Sequence, residues 1–233
     1  MKQKNLVFLT GAGMSAESGI STFRDSDGLW EKYDVEQVAS IEGWYRDPAL
    51  IQRFYNERRA QLATVEPNEG HKLIAALESD FNVTVVTQNV DNLHERAGTS
   101  KLIHLHGELT KACNEAKTDV IDIGYRPILP DEKAKDGSRL RPFIVWFGEA
   151  VPEIEAAAAV VSEADIVVII GTSMAVYPAA SLLFSARPDI PVYLIDPKEV
   201  NVSRRVQCIR EKASVGMALL KEKLLDIYKN KTT

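Results

Sequence analysis

Apolar positions in this chain cluster into short runs, and most of those runs stop at a polar or glycine-rich group. Leu6-Val7-Phe8-Leu9, closed by Thr10, reads as a buried strand. Asn82-Val83-Thr84-Val85-Val86-Thr87 is β-branched and too apolar for a solvent face, as expected of a strand covered on both sides. Asp165–Ile170 and Val192–Ile195 have the same character, and Lys101–Leu105 is a shorter strand of that kind. Pro142–Gly148 is extended and aromatic. Helical patterning lies between these runs, at Asp34–Ile41, Pro48 to Ala63, His71–Ser79, a short piece through Arg96, Pro152–Ala164, Pro178–Ala186 and Val215–Tyr228. Pro48 suits a first helical turn, where its missing N–H costs nothing. Tyr55 and Arg58, three apart, share a helix face.

Strands that alternate with helices predict an α/β fold, a Rossmann-like and mostly parallel sheet with helices on both faces. Two stretches break the alternation, 31–65 and 107–141, the second with weak patterning expected to form an irregular module. They are read as a small second domain. Residues 1–30, 66–106 and 142–233 form the main domain.

Such sheets bind ligands at the carboxyl ends of their strands. Four of those ends carry candidate chemistry: Gly11–Ser15, Gln88–Asp91, Gly171-Thr172-Ser173 and Asp196. Gly11, Gly13 and Ala16 fit the dinucleotide pattern G-x-G-x-x-G/A: a tight turn, close backbone approach to a pyrophosphate, and close packing of helix on strand. The sequel, Phe23-Arg24 and Gly28-Leu29-Trp30, stands where an ordinary dehydrogenase would have its second strand and acidic ribose ligand. A dinucleotide is therefore expected, in an unusual use. His106 follows a strand and suits a general base, because its proton exchanges near neutral pH. His104 points to the same side, and spacing alone does not choose between them. Asn89 and Asp91 could hold a ribose and a carboxamide or could merely form a turn, and Asp196 has the same two readings.

Composition narrows the classes. A net charge of −5 leaves no basic surplus to neutralise phosphates, which argues against nucleic acid as a partner. The N-terminal apolar core, Leu6–Leu9, is too short for a secretory signal, and no run approaches the length of a membrane span. Cys113 and Cys208 give neither a disulfide framework nor a four-cysteine zinc site. The expectation is a cytoplasmic monomer with no membrane association.

With these residues assembled, the chain resembles the sirtuin family of NAD-dependent protein lysine deacylases. GAGMSAESGI-x-TFR, TQNVDNLHERAG, HLHGEL, VWFGE and GTS-x-x-VYPAA stand in family order and spacing. Tyr55-Asn56-Glu57-Arg58 resembles the Y-x-x-R of the class III, desuccinylase-like branch. The resemblance implies NAD as a consumed co-substrate and acylated lysine side chains of proteins as partners. It makes His106 the catalytic base, with Asn89 beside it. Gln88, Asn89 and Asp91 would form the ribose and nicotinamide pocket. Gly11, Ala12, Gly13, Ser15, Phe23, Arg24 and Trp30 would form the pyrophosphate and cofactor loop. Gly171, Thr172, Ser173 and Asp196 would lie on the adenosine side, with Ala213 near adenine. Val145, Trp146, Phe147 and Gly148 would pair with the substrate backbone. Tyr55 and Arg58 would read the carboxylate of a succinyl or malonyl lysine.

Three positions depart from the family pattern. Only Cys113 stands where the zinc cysteines would be, so no zinc is expected and packing or a partner must replace it. Ser21 replaces a proline, and Ile195-Asp196 lacks the usual asparagine. The competing readings are a silent NAD or ADP-ribose sensor and a mono-ADP-ribosyltransferase.

Overall fold

A computed structural model describes residues 3–20, 33–172, 181–200 and 206–228. β1 (Asn5–Thr10) runs into two 3₁₀ turns, Ala12–Met14 and Ala16–Ser18. Three helices follow, α1 (Val35–Val38), α2 (Ile41–Arg46) and α3 (Pro48–Leu62). After α4 (Glu69–Ala76) come β2 (Asn82–Thr87), α5 (Leu93–Arg96) and β3 (Leu102–His104). β4 (Gly107–Cys113), β5 (Val120–Asp122) and β6 (Arg141–Ile144) precede α6 (Ile154–Ser162) and β7 (Ile166–Ile170). The chain closes through α7 (Leu182–Ser185), β8 (Val192–Ile195), β9 (Gln207–Ile209) and α8 (Ala213–Tyr228).

Six strands form one sheet in the order β3-β2-β1-β7-β8-β9, and every neighbouring pair is parallel. The order reverses between β1 and β7, so the crevice of a doubly wound sheet opens at their carboxyl ends. Strand periodicity divides the core between the two faces. Leu6 and Phe8 pack with Val83, Val85, Ile166 and Val168 under α4 and α8. Val7 and Leu9 pack with Val167, Ile169, Val192 and Leu194 under α6 and α7. Because both faces are covered, the strands carry no polar face and read as continuous apolar runs.

Several expectations change. The segment expected to be irregular contains a three-stranded antiparallel sheet, β5-β4-β6, over a small apolar cluster of Ala112, Ile123, Ile128 and Leu140. Its strands hide in the sequence because β4 alternates Glu, Thr and Lys with buried residues, and β5 is only three residues long. β6 ends at Ile144, so Val145–Gly148 lies beyond the strand. The helix expected at 34–41 is the shorter α1, capped by Asp34, and an unexpected helix, α2, follows it, capped by Ser40, which accepts the Gly43 N–H at 3.0 Å. Asp47 caps α3 ahead of Pro48, as the sequence requires. β9 adds a sixth strand that its three polar-flanked residues did not announce. The fingerprint is followed by short 3₁₀ turns ending at Gly19 (φ +91°), where the pattern predicts a helix. No helix among the described residues is long and apolar enough to cross a membrane.

Two glycines make the crevice possible. The Gly13 N–H donates to the Gly171 carbonyl at 2.8 Å, and a Cβ on Gly13 would lie 2.6 Å from Gly171 Cα. Gly171 itself has φ +59°, and a Cβ there would strike the backbone of Gly13 and Met14. Gly171→Ala should lower unfolding free energy by about 3 kcal/mol, combining left-handed strain with backbone overlap. An unchanged denaturation midpoint would contradict this account of the crevice.

Candidate active site

The carboxyl ends of β1 and β2 meet in a buried polar hub. Thr10 and Thr87 are opposite each other in the β1–β2 register, and the Thr10 hydroxyl donates to Thr87 Oγ1 at 2.8 Å. Thr87 Oγ1 also accepts the Asn89 N–H at 3.0 Å, which turns the chain out of the strand. With its proton given to Thr87, Thr10 accepts from His94 Nε2 at 3.3 Å.

Just beyond, Ser15 joins the two loops. Its hydroxyl donates to Asp91 Oδ2 at 2.9 Å and accepts from Asn89 Nδ2 at 3.0 Å. Asp91 Oδ1 takes the Leu93 N–H at 3.1 Å. All three side chains are buried. Burial raises the Asp91 pKa, and the bonds from Leu93 and Ser15 offset only part of that rise. Gln88 Nε2 reaches across to Thr172 Oγ1 at 3.1 Å, linking the end of β2 to the end of β7. Gly11, Ala12, Gly13, Ser15, Gln88, Asn89, Asp91, Gly171 and Thr172 are thus brought to one rim.

His106 stands between β3 and β4. Its Nδ1 lies 3.0 Å from the Gln88 carbonyl, which can only accept, so the ring proton sits on Nδ1. Nε2 is left with its lone pair. Burial depresses the His106 pKa, only partly countered by the Gln88 bond, so the neutral base is the resting form. His104 differs, because both of its nitrogens are engaged: Nδ1 with the Asn89 carbonyl at 3.0 Å and Nε2 with Glu95 Oε1 at 2.8 Å. The structure therefore separates two histidines that spacing could not.

Tyr55 and Arg58 lie on α3. Tyr55 is buried, and its hydroxyl accepts from Trp146 Nε1 at 3.0 Å, leaving its own proton to be donated. Burial pushes the Tyr55 phenol up to about 12, against the opposing pull of Arg58. Arg58 lies over the Phe54 ring at 5.7 Å, and its guanidinium feels the charges of Tyr55 and Asp91. Burial lowers the Arg58 pKa, which marks a partly desolvated cation.

The segment 145–148 is more committed than a docking edge. Val145 N–H donates to the His106 carbonyl, Phe147 N–H to the Ala39 carbonyl, and Trp146 N–H to Glu149 Oε2. The Trp146 side chain is buried, with the Arg141 guanidinium 3.7 Å above its ring, while Phe147 is exposed and Gly148 adopts φ +88°. Pairing with a substrate would therefore have to use the remaining groups of this segment.

Other residues sit apart. Asp196 is buried past β8, and its Oδ1 accepts the Lys198 N–H at 2.8 Å, a turn in which the carboxylate is already engaged. Ala213 opens α8 close to Gly70, in the core cluster that also holds Met14. Phe23, Arg24, Trp30 and Ser173 lie outside the described residues, as do Ser21, Gly28 and Leu29.

Sequence reasoning passed over Thr10, Thr87, His94 and Glu149. Glu149 accepts from Arg141, Lys117 and the Trp146 N–H, tying segment 145–148 to the small sheet. Burial pushes the Glu149 pKa up, but these donors outweigh it and hold the carboxyl below its ordinary value. For Thr10 and Thr87 the available signal was the polar residue closing each apolar run.

The two cysteines do not share a site. Cys113, on β4, is buried, and burial pushes its thiol up to about 11. Cys208 lies on β9 in the other sheet. In the same region, Asn114 Oδ1 accepts the Thr118 and Asp119 N–H groups, while its Nδ2 donates to Asp136 Oδ2 at 2.7 Å. Asp136 in turn accepts both the N–H and the hydroxyl of Ser138. This clip ties the loop after β4 to the loop before β6.

Comparison with known proteins agrees with this arrangement. The Sir2 family profile matches residues 11–178. An NAD-dependent protein deacylase of Bacteroides thetaiotaomicron is 60% identical over 232 residues, covering 95% of this chain and 98% of that protein. A Sir2 homologue solved with NAD superimposes with a TM-score of 0.87 at 37% identity, covering 97% of this chain and 91% of that one. A triply substituted Sir2 homologue solved with 2′-O-acetyl ADP-ribose gives a TM-score of 0.89 at 37% identity, covering 99% and 96%. On the strength of the profile, the identity and the shared sheet, the chain belongs to the Sir2 family.

Proposed function

We propose that this protein is an NAD-dependent protein lysine deacylase that removes succinyl and malonyl groups, and acetyl groups as well, without structural zinc. The observation that carries the reading is His106, a neutral imidazole whose Nδ1–H is fixed on the Gln88 carbonyl, beside the Ser15–Asn89–Asp91 hub. A base with its lone pair on Nε2 and a buried amide–carboxylate pair is what breaking a ribosyl bond and moving an acyl group requires. The rim also fits the dinucleotide pattern: Gly11, Gly13 and Gly171 allow the ends of β1 and β7 to pack backbone to backbone in the tight turn that pattern needs. The relatives' names and the NAD and acetyl-ADP-ribose complexes of the neighbours point the same way.

In this reading Asn89 and Asp91 hold the nicotinamide ribose while the acyl-lysine carbonyl oxygen displaces nicotinamide at C1′. His106 Nε2 then removes a ribose hydroxyl proton, and that oxygen takes over the acyl carbon. The overall reaction consumes one water and gives nicotinamide, 2′-O-acyl-ADP-ribose and free lysine. Phe23, Arg24, Trp30 and Ser173 are assigned to the co-substrate by their place in the motifs alone. Residues 31–65 and 107–141 act as the smaller domain, presenting Tyr55 and Arg58 to the acyl carboxylate. The enzyme works in the cytoplasm as a monomer.

Product stoichiometry tests this reading. One nicotinamide and one O-acyl-ADP-ribose should appear per lysine freed; nicotinamide release with ADP-ribose left on protein would establish the transferase instead, and binding without release a sensor. The zinc prediction is separate. Purified protein should hold only traces of zinc, and EDTA should change neither melting temperature nor activity; one equivalent of bound zinc would overturn it.

A further inference from the structure

His104 has no part in the chemistry above, yet it is the more tightly held of the two histidines. The pair grip consecutive carbonyls of one loop, His106 at Gln88 and His104 at Asn89, each at 3.0 Å. Only the His104 ring meets a second acceptor, Glu95 Oε1 at 2.8 Å, and its side chain is 10% exposed. Carbonyl and carboxylate oxygens offer no proton, so each ring nitrogen must carry one. A ring with two N–H groups is a cation.

We propose that His104 is a positioning residue for deacylation, an imidazolium that straps the Asn89 carbonyl to the Glu95 carboxylate and so sets the loop bearing Asn89 and Asp91. The strap joins β3 to α5 across the end of β2, next to the hub in which Asn89 Nδ2 bonds Ser15. The charges around the ring come from several elements. Glu95 and His94 are on α5, Glu108 is on β4, and Asp91 is on the loop. Burial disfavours the charged ring, but Glu95, Glu108 and the Asn89 bond outweigh it and raise the His104 pKa. His94 is driven neutral, chiefly by burial. Asp91 gains from the arrangement, because the His104 charge opposes the rise that burial imposes on it.

Glu95, His104 and Glu108 also place three potential ligand atoms within 4.8 Å of one another. A divalent cation is the less favoured occupant. Glu95 already has the His104 cation, and Glu108 has Lys111 Nζ at 2.7 Å, so the cluster is balanced without an ion.

The charge state can be read on the resting wild-type protein. The chain has four histidines, so imidazole ¹H–¹⁵N spectra assigned with single His→Gln variants resolve each ring. At pH 7, His104 should show both nitrogens protonated, while His71, His94 and His106 are neutral. A neutral His104, or an Nε2 signal that moves on adding Zn²⁺ or Mn²⁺, overturns the proposal. The kinetic arm rests on the deacylase reading. In wild type, kcat should fall as pH rises through the His104 value, and Glu95→Gln should move that alkaline limb down by about one pH unit. The acid limb, set by His106, should stay in place. A uniform loss of kcat with neither limb moved would reduce His104 to a structural part and sink the proposal. A wild type inactive on every acyl peptide refutes the deacylase reading instead, and is seen before any variant is compared.

Discussion

His106→Ala is expected to lower kcat for NAD-dependent deacylation by about 10³-fold, within the range general bases contribute, while leaving the melting temperature nearly unchanged. The first half follows from geometry. Gln88 fixes the Nδ1 proton, so Nε2 is the group that can accept one, and no other described histidine offers the same. His104 has both nitrogens occupied, and His71 and His94, which each keep an unbonded nitrogen, are fully buried at 0% and 1% exposure. The second half follows from exposure, since His106 is only partly buried and gives up one hydrogen bond to a carbonyl. The pH dependence has a definite sign. The base must be neutral to act, and burial lowers its pKa, so activity is lost as pH falls through a value below that of free histidine. Stopped-time assays with a succinyl peptide measure both quantities. A loss of less than about tenfold would mean that His106 is not the base.

Arg58→Met should split the acyl substrates. Desuccinylation kcat/KM is expected to fall about 30-fold, the loss of one charge-assisted hydrogen bond in a desolvated setting. Deacetylation should change by less than about threefold, because an acetyl group offers no carboxylate. Arg58 is a partly desolvated cation beside the Tyr55 hydroxyl, which accepts from Trp146 and can still donate. Arg supplies a planar fork that matches a carboxylate, and Met keeps the length without the charge. Equal losses for succinyl and acetyl peptides would refute the carboxylate-reading role.

The main sheet was legible in the sequence because its strands are covered on both faces. Val83–Val86 and Ile166–Ile170 have no solvent face to blur the pattern, and each ends at a residue that matters. Gly11, Asn89, Asp91 and Gly171 could be placed at the rim for that reason. The small sheet was not legible. β4 is half polar, β5 is three residues long, and β6, which pairs with β4, begins about twenty residues after β5, so long-range pairing defines strands that local pattern does not. The helix expected after Gly13 failed for another reason: tertiary bonds took over. Asn68 Nδ2 holds the Met14 carbonyl at 2.8 Å and Ser15 turns into the hub, so the chain forms tight turns there. The choice of histidine needed the structure as well. Period 2 puts His104 and His106 on one side, and only the second acceptor at His104 distinguishes the two rings.

The bonds that join Asn114, Asp136 and Ser138 were not legible either. Their side chains are ordinary turn formers in sequence, and only their meeting across some twenty residues makes them a clip.

The central claim is that this protein consumes NAD to free acylated lysine. The direct measurement is mass spectrometry of acetyl-, malonyl- and succinyl-lysine peptides incubated with purified enzyme, with and without NAD. The account predicts acyl loss only with NAD, from the malonyl and succinyl peptides at least. No NAD-dependent loss from any of the three peptides would contradict it.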